Sequence, residues 1–256
     1  MTPGPILETD GVGKWFSGLA AVDAVSLTIA VGEIRGVVGP NGAGKTTLFN
    51  LISGLYPVSG GRIRFRGEDV TTRTAHARAR LGLGRTYQMP QVFPDLTVFD
   101  NVAVGLAARR APTARAALTG SRQAGRAAVQ AVEALLDFLR LPGDLGRPAG
   151  ALPFGELKRL EIARALAGEP AMLLMDEPAA GLNHAEIEGL VNLVRRIRDR
   201  GITVGLIEHN MRLVMGLCDR ITVLDFGRVL AEGPPEEVRH DPRVITAYLG
   251  RAHARL

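Results

Sequence analysis

One cysteine, Cys218, occurs in 256 residues. No disulfide can form within the chain, which excludes the disulfide-stapled secreted class and points to a reducing compartment. Cys218 follows the apolar run Leu213-Val214-Met215-Gly216-Leu217, a setting for a buried, inert thiol. Lysine is nearly absent as well: among 31 basic residues only Lys14, Lys45 and Lys158 are lysine. The net charge of +5 and pI of about 10 fit attraction to nucleotide phosphates, an anionic membrane surface or nucleic acid. The arginines are spread along the chain, which favours a compositional bias over a nucleic-acid tract. Aromatics make up only 5%, too few for a base-stacking surface. No apolar run approaches the roughly 18 residues that span a bilayer. The start, Met1-Thr2-Pro3-Gly4, lacks the pattern of a signal peptide. The expectation is a soluble protein, or one held at a membrane by something else.

What is present supports a globular α/β fold. Hydrophobic residues make up 46%, enough for one large domain or one domain with an insertion. Ala24 to Ile29 alternates apolar and polar residues, as a half-buried strand does. Glu33 to Val38 is a strand leading into a glycine-rich loop, and Thr47 to Ile52 is a helix ending near Gly54. Arg62 to Arg66 reads as another strand. From about 89 to 168 alanine-rich helical segments replace the strand patterns, and Ala107 to Arg126 reads as a solvated helix or mobile insertion. Ala171 to Met175 is then a continuous apolar run, the mark of a buried parallel strand. Ile187, Leu190, Val191, Val194 and Ile197 share one helix face, with Asn183 and Glu186 as a capping pair and Gly201 at the far end. Ile202 to Ile207 and Arg220 to Asp225 are further strands, the latter turning at Phe226-Gly227. Strands alternating with helices predict a mainly parallel sheet.

Two motifs carry chemistry. Gly39-Pro40-Asn41-Gly42-Ala43-Gly44-Lys45-Thr46-Thr47 has the form G-x-x-x-x-G-K-[ST] between strand and helix. Glycines let backbone N–H groups converge on phosphate oxygens, and the helix adds its positive end. Lys45 reaches the β- and γ-phosphates of ATP, and the Thr46 hydroxyl holds Mg²⁺. In Leu173-Leu174-Met175-Asp176-Glu177-Pro178, Asp176 ends a buried strand where it serves Mg²⁺, and Glu177 is placed as general base.

With these motifs in order, the chain resembles the nucleotide-binding subunits of ABC transporters over essentially its full length. Leu152-Pro153-Phe154-Gly155-Glu156 lies where that family carries its Leu-Ser-Gly-Gly-Gln signature, followed by Leu160 to Leu166. The resemblance implies a P-loop ABC-type core over 1–88 and 169–256, with an antiparallel β subdomain and a helical subdomain at about 89–168. It implies a catalytic and metal-facing role for Gln88, a γ-phosphate role for His209, and a subunit-crossing loop at Ala180-Gly181-Leu182-Asn183. Adenine would stack on Phe16, with Trp15 the runner-up. Each ATP would lie between one subunit's phosphate loop and the other's signature. Two departures stand out: Pro153 replaces the signature serine, and Asn183 replaces the usual aspartate. Pro153 would weaken the site built on the partner's loop, leaving the two sites unequal.

Arg85-Thr86-Tyr87-Gln88, Glu177 to Asn183, Ile207 to Met211 with Val214 to Gly216, and the ending Asp241 to Gly250 narrow the resemblance to the Liv-type importers of branched-chain amino acids. It implies a second ABC ATPase (a heterodimer, with a homodimer open in isolation), two permeases, and indirectly a periplasmic binding protein. The helical subdomain, including Val92 to Thr97, would receive a permease helix at the cytoplasmic face of the membrane. Urea or amide importers and the lipopolysaccharide exporter are near alternatives. A nucleic-acid- or ribosome-associated ATPase is a distant one, because no second ABC domain, coiled coil or zinc module accompanies the motifs; no nucleic-acid partner is expected.

Overall fold

A computed structural model describes residues 4–110, 122–141 and 144–253. Its strands form two sheets. β1 (Leu7–Phe16), β2 (Leu19–Ile29), β4 (Gly60–Phe65) and β5 (Glu68–Asp69) make an antiparallel sheet in the order β2-β1-β4-β5. β3 (Ile34–Val38), β6 (Leu83–Thr86), β7 (Met172–Asp176), β8 (Thr203–Ile207), β9 (Arg220–Asp225) and β10 (Arg228–Gly233) make the larger sheet in the order β10-β9-β3-β8-β7-β6. It is parallel except for β10, which returns antiparallel to β9. Phe226 and Gly227, both at positive φ (44° and 79°), make that return. A two-residue turn of this kind matches the right-handed twist of the strands it joins.

The central strands β3, β7 and β8 of the larger sheet are buried along their whole length, which explains why β7 and β8 read as apolar runs. Alternate residues enter different cores. Leu173, Met175, Val204 and Leu206 face the helices on one side. Met172, Leu174 and Val37 face the other, where they meet Leu48, Phe49 and Ile52 of the helix Lys45–Ser53 and the inner face of the antiparallel sheet. The phosphate-loop helix is thus held between two sheets.

Between β6 and β7 the chain forms the helices Val98–Arg110, Arg122–Leu139 and Phe154–Ala167. Val98, Val102, Val132, Leu136 and Leu160 join the helix-side core. The expected insertion at 107–126 begins and ends in helix, and its centre, 111–121, lies outside the described residues. The helix His184–Asp199 starts with the expected capping box. Glu186 N–H donates to Asn183 Oδ1 (3.0 Å) and Asn183 N–H to Glu186 Oε2 (2.9 Å). Among the described residues no helix is long and apolar enough to cross a membrane.

Sequence reading did not foresee the helix Ala75–Arg80, whose anchor is Arg78. This buried guanidinium donates to the carbonyls of Leu51 (2.6 Å), Ile52 (2.7 Å), Thr71 (3.0 Å) and Arg73 (3.1 Å). It occupies the negative end of the phosphate-loop helix and satisfies carbonyls that end leaves unpaired.

Candidate functional site

The strand ends of β3 and β7 and the start of the helix Lys45–Ser53 converge on one cleft of about 510 Å³. Gly44, at φ 96°, turns the loop into the helix; a Cβ there would stand 2.2 Å from the Ala21 carbonyl oxygen. Gly42, at φ 79°, has nothing within 4 Å of where its Cβ would stand, so the loop is open at that point. The helix begins with no side-chain cap and no acidic residue in its first turn. An uncapped helix start of this kind, with its positive dipole end, favours an anion. Lys45, buried, donates from Nζ to the carbonyls of Gly39 (2.7 Å) and Pro40 (3.0 Å) across that same loop. The loop residues Asn41, Gly42, Ala43, Gly44, Lys45, Thr46 and Thr47 line the cleft together with Phe16, Glu177 and His209.

The acids stand opposite the loop. Thr46 Oγ1 donates to Asp176 Oδ1 at 3.4 Å. Burial pushes the Asp176 carboxyl above its ordinary range, and the Arg85 guanidinium, 3.4 Å from Oδ2, opposes the rise. Arg85 in turn donates to Ser53 Oγ at 2.7 Å and lies over the Tyr87 ring. Glu177 is at φ 47°, a left-handed conformation unusual for glutamate. Its N–H is tied to Ile207 O (2.9 Å), and Lys158 Nζ donates to the carbonyls of Glu177 (3.0 Å) and Pro178 (3.1 Å). The turn thereby aims the Glu177 carboxylate into the cleft. Oε2 accepts from Gln88 Nε2 at 2.7 Å, and Oε1 lies 2.5 Å from His209 Nε2. Glu208, buried beside His209, accepts from the backbone N–H groups of Ala179 (2.7 Å) and His209 (3.1 Å) and so fixes the histidine's main chain.

Thr46 and Asp176 supply hard oxygen donors at neighbouring positions, the ligand type Mg²⁺ takes alongside phosphate oxygens. Among the described residues no cluster of three or more His, Cys, Asp or Glu could hold a metal instead. Thr46 and Asp176 fit a magnesium-bound nucleotide.

At the cleft's far end Phe16 meets Tyr56 edge-on, with ring centroids 5.6 Å apart, and Lys14 Nζ stands 5.1 Å from its centroid. Trp15 instead lies over Gly13 and Gly60, away from the cleft. The signature stretch is on another surface. Leu152 is buried, while Pro153 and Phe154 are exposed. Pro153 caps the helix Phe154–Ala167 with its carbonyl alone, accepting from Glu156 N–H (2.9 Å) and Leu157 N–H (3.0 Å). The Phe154 ring packs on Gly181, and Gly155 lies against the Glu186 carboxylate. The signature stretch and the loop 180–183 therefore form one surface, and none of their residues lines the phosphate-loop cleft. Cys218 is buried against Gly36, and burial pushes its thiol up to about 12. It takes no part in the cleft.

A phosphate loop between β3 and a helix, with β7 ending in an acid two places along the same parallel sheet, defines a P-loop nucleotide hydrolase. Comparison with known proteins narrows this class. The sequence profile described as ABC transporter matches residues 22–180, and one described as branched-chain amino acid ATP-binding cassette transporter matches 228–254. The chain is 40% identical to the high-affinity branched-chain amino acid transport ATP-binding protein BraF of Pseudomonas aeruginosa, over 97% of this chain and 99% of that one. The identity and coverage are the same for the corresponding protein LivG of Escherichia coli. A solved nucleotide-free ATP-binding cassette from an ABC transporter superposes with a TM-score of 0.83 at 32% identity, covering 95% of this chain and 98% of that one. The chain belongs to the ABC transporter family, and it is an ATP-binding, ATP-hydrolysing subunit of that family.

Proposed function

We propose that the chain powers an importer of branched-chain amino acids from the cytoplasmic face of the membrane, as one of two ATPases on a pair of permeases fed by a periplasmic binding protein. The 40% identity over nearly the whole length of two proteins named for that transport carries the reading. The separate match at 228–254 adds to it.

Within the chain the roles divide by position. The loop from Gly39 to Thr47 binds the phosphates, Lys45 neutralises their charge, and Phe16 stacks on the base. Thr46, Asp176 and Gln88 hold Mg²⁺, which offsets phosphate charge and orients the terminal group when bound. Glu177 takes the proton of the attacking water. His209 and Gln88, bonded to its two oxygens, fix the carboxylate's direction. The signature from Leu152 to Glu156 serves the nucleotide of a partner ATPase. Pro153 offers that nucleotide neither a hydroxyl nor an N–H, so the partner's site is the weaker of the two.

The test is transport by the chain reconstituted with its permeases and binding protein in vesicles. ATP-dependent uptake of labelled leucine, lost with Lys45→Ala, is expected. Uptake of urea or an amide with no leucine transport would overturn the substrate assignment.

A further inference from the structure

Among the described residues no charged side chain is bonded to Lys158 or Glu161, two buried charges of the helix Phe154–Ala167. Lys158 is 5% exposed and Glu161 2%. Three residues apart, they lie on one helix face. Both spend their charge on main chain. Lys158 Nζ donates to the carbonyls of Glu177 (3.0 Å) and Pro178 (3.1 Å). Glu161 accepts from the N–H groups of Tyr87 (3.3 Å) and Gln91 (2.9 Å). Those two amides bracket Gln88, whose side chain bonds the Glu177 carboxylate at 2.7 Å. One helix face therefore grips both sides of the Gln88–Glu177 contact.

Burying a charge is costly, and an apolar pair of similar volume would pack this helix at least as well. What the charges add is direction, because each fixes two backbone groups at once. Burial draws the Lys158 pKa down and the Glu161 pKa up. The same helix is N-capped by Pro153, within the signature stretch.

We propose that Lys158 and Glu161 are positioning residues, a two-point clamp through which the signature helix sets the distance between Gln88 and Glu177. The inference rests on the roles given above to Gln88 and Glu177. A shift of the signature helix then moves both groups, which links hydrolysis in this chain to the engagement of its signature by another nucleotide.

The test combines kinetics with amide exchange on the full chain. Glu161→Gln keeps the shape but offers one acceptor where two N–H groups arrive. Lys158→Met removes both donations, and Lys158→Arg retains a charged donor. The glutamine and methionine variants should lower kcat by about tenfold to a hundredfold, with the KM for ATP within about twofold. Lys158→Arg should recover most of the loss. Amide exchange at 87–91 should speed up in Glu161→Gln while overall melting stays near that of wild type. In wild type, the Tyr87 and Gln91 amides should exchange at least about a hundredfold slower than unstructured amides, a readout that needs no variant to fold. Unprotected Tyr87 and Gln91 amides overturn the clamp, as does wild-type kcat in both variants. Loss of kcat and KM together, with no rescue by arginine, reduces it to general packing. If Glu177→Gln hydrolyses ATP at the wild-type rate, the base assignment has failed; the exchange protection then still reports on the clamp.

Discussion

Replacing Arg85 with methionine should show what the buried guanidinium contributes to its pairing with Asp176. Both members of the Arg85–Asp176 pair are buried, with side-chain exposures of 6% and 4%. Removing one partner of a buried pair costs about 3–5 kcal/mol, because the other is left uncompensated. The separation of 3.4 Å is long for a charge-assisted bond, which puts the expected loss near the lower end, about 3 kcal/mol. For a chain of this size that corresponds to a fall in Tm of roughly 6–12 °C. The loss should depend on pH. Burial already holds the Asp176 carboxyl above its ordinary 3.8, and Arg85 works against that rise. Without Arg85 the folded-state pKa climbs further. A carboxyl whose pKa is higher folded than unfolded costs stability as pH rises from the unfolded value through the folded one. The variant's deficit should be smallest near pH 4 and grow above it. Thermal melts of both proteins in nucleotide-free, magnesium-free buffer across that range provide the assay. Adding Asp176→Asn should recover part of the loss in a double-mutant cycle. A variant that melts within about 2 °C of wild type, with no pH trend, refutes the reasoning.

Phe16→Ala should weaken ATP binding by roughly tenfold, the worth of one base stack, while Trp15→Ala leaves it nearly unchanged; titration with a fluorescent ATP analogue separates them. Cys218, with its thiol pushed up to about 12, should resist alkylation at pH 8 until the chain unfolds. Its labelling midpoint in urea should coincide with the circular-dichroism midpoint, and stoichiometric labelling of the native protein within minutes would contradict its burial.

The parts of the fold that were legible in the sequence are those where one local signal suffices. β7 and β8 read as apolar runs because both faces are covered. The capping box at Asn183 and the turn at Phe226-Gly227 are short-range chemistry. β6 was not legible: Leu83-Gly84-Arg85-Thr86 offers one large apolar residue, and the strand exists because β7 lies beside it. β1 was obscured by shifts of register between Thr9 and Trp15, which break its alternation.

The cleft follows the same division. The phosphate loop and the Asp176-Glu177 pair announce themselves by residue type and spacing. Arg78, Arg85, Lys158 and Glu161 do not, because a buried charge satisfied by distant main chain looks, in sequence, like one on a solvated helix face. Lys158 carried the one available hint, being among only three lysines in an arginine-rich chain.

Hydrolysis by Glu177→Gln under single-turnover conditions tests the central claim most directly. The amide keeps the size of the side chain but cannot accept the proton of the attacking water. ATP binding should persist while hydrolysis falls at least about a hundredfold, leaving ATP trapped on the protein. Hydrolysis at the wild-type rate would contradict the account and remove Glu177 from the chemistry.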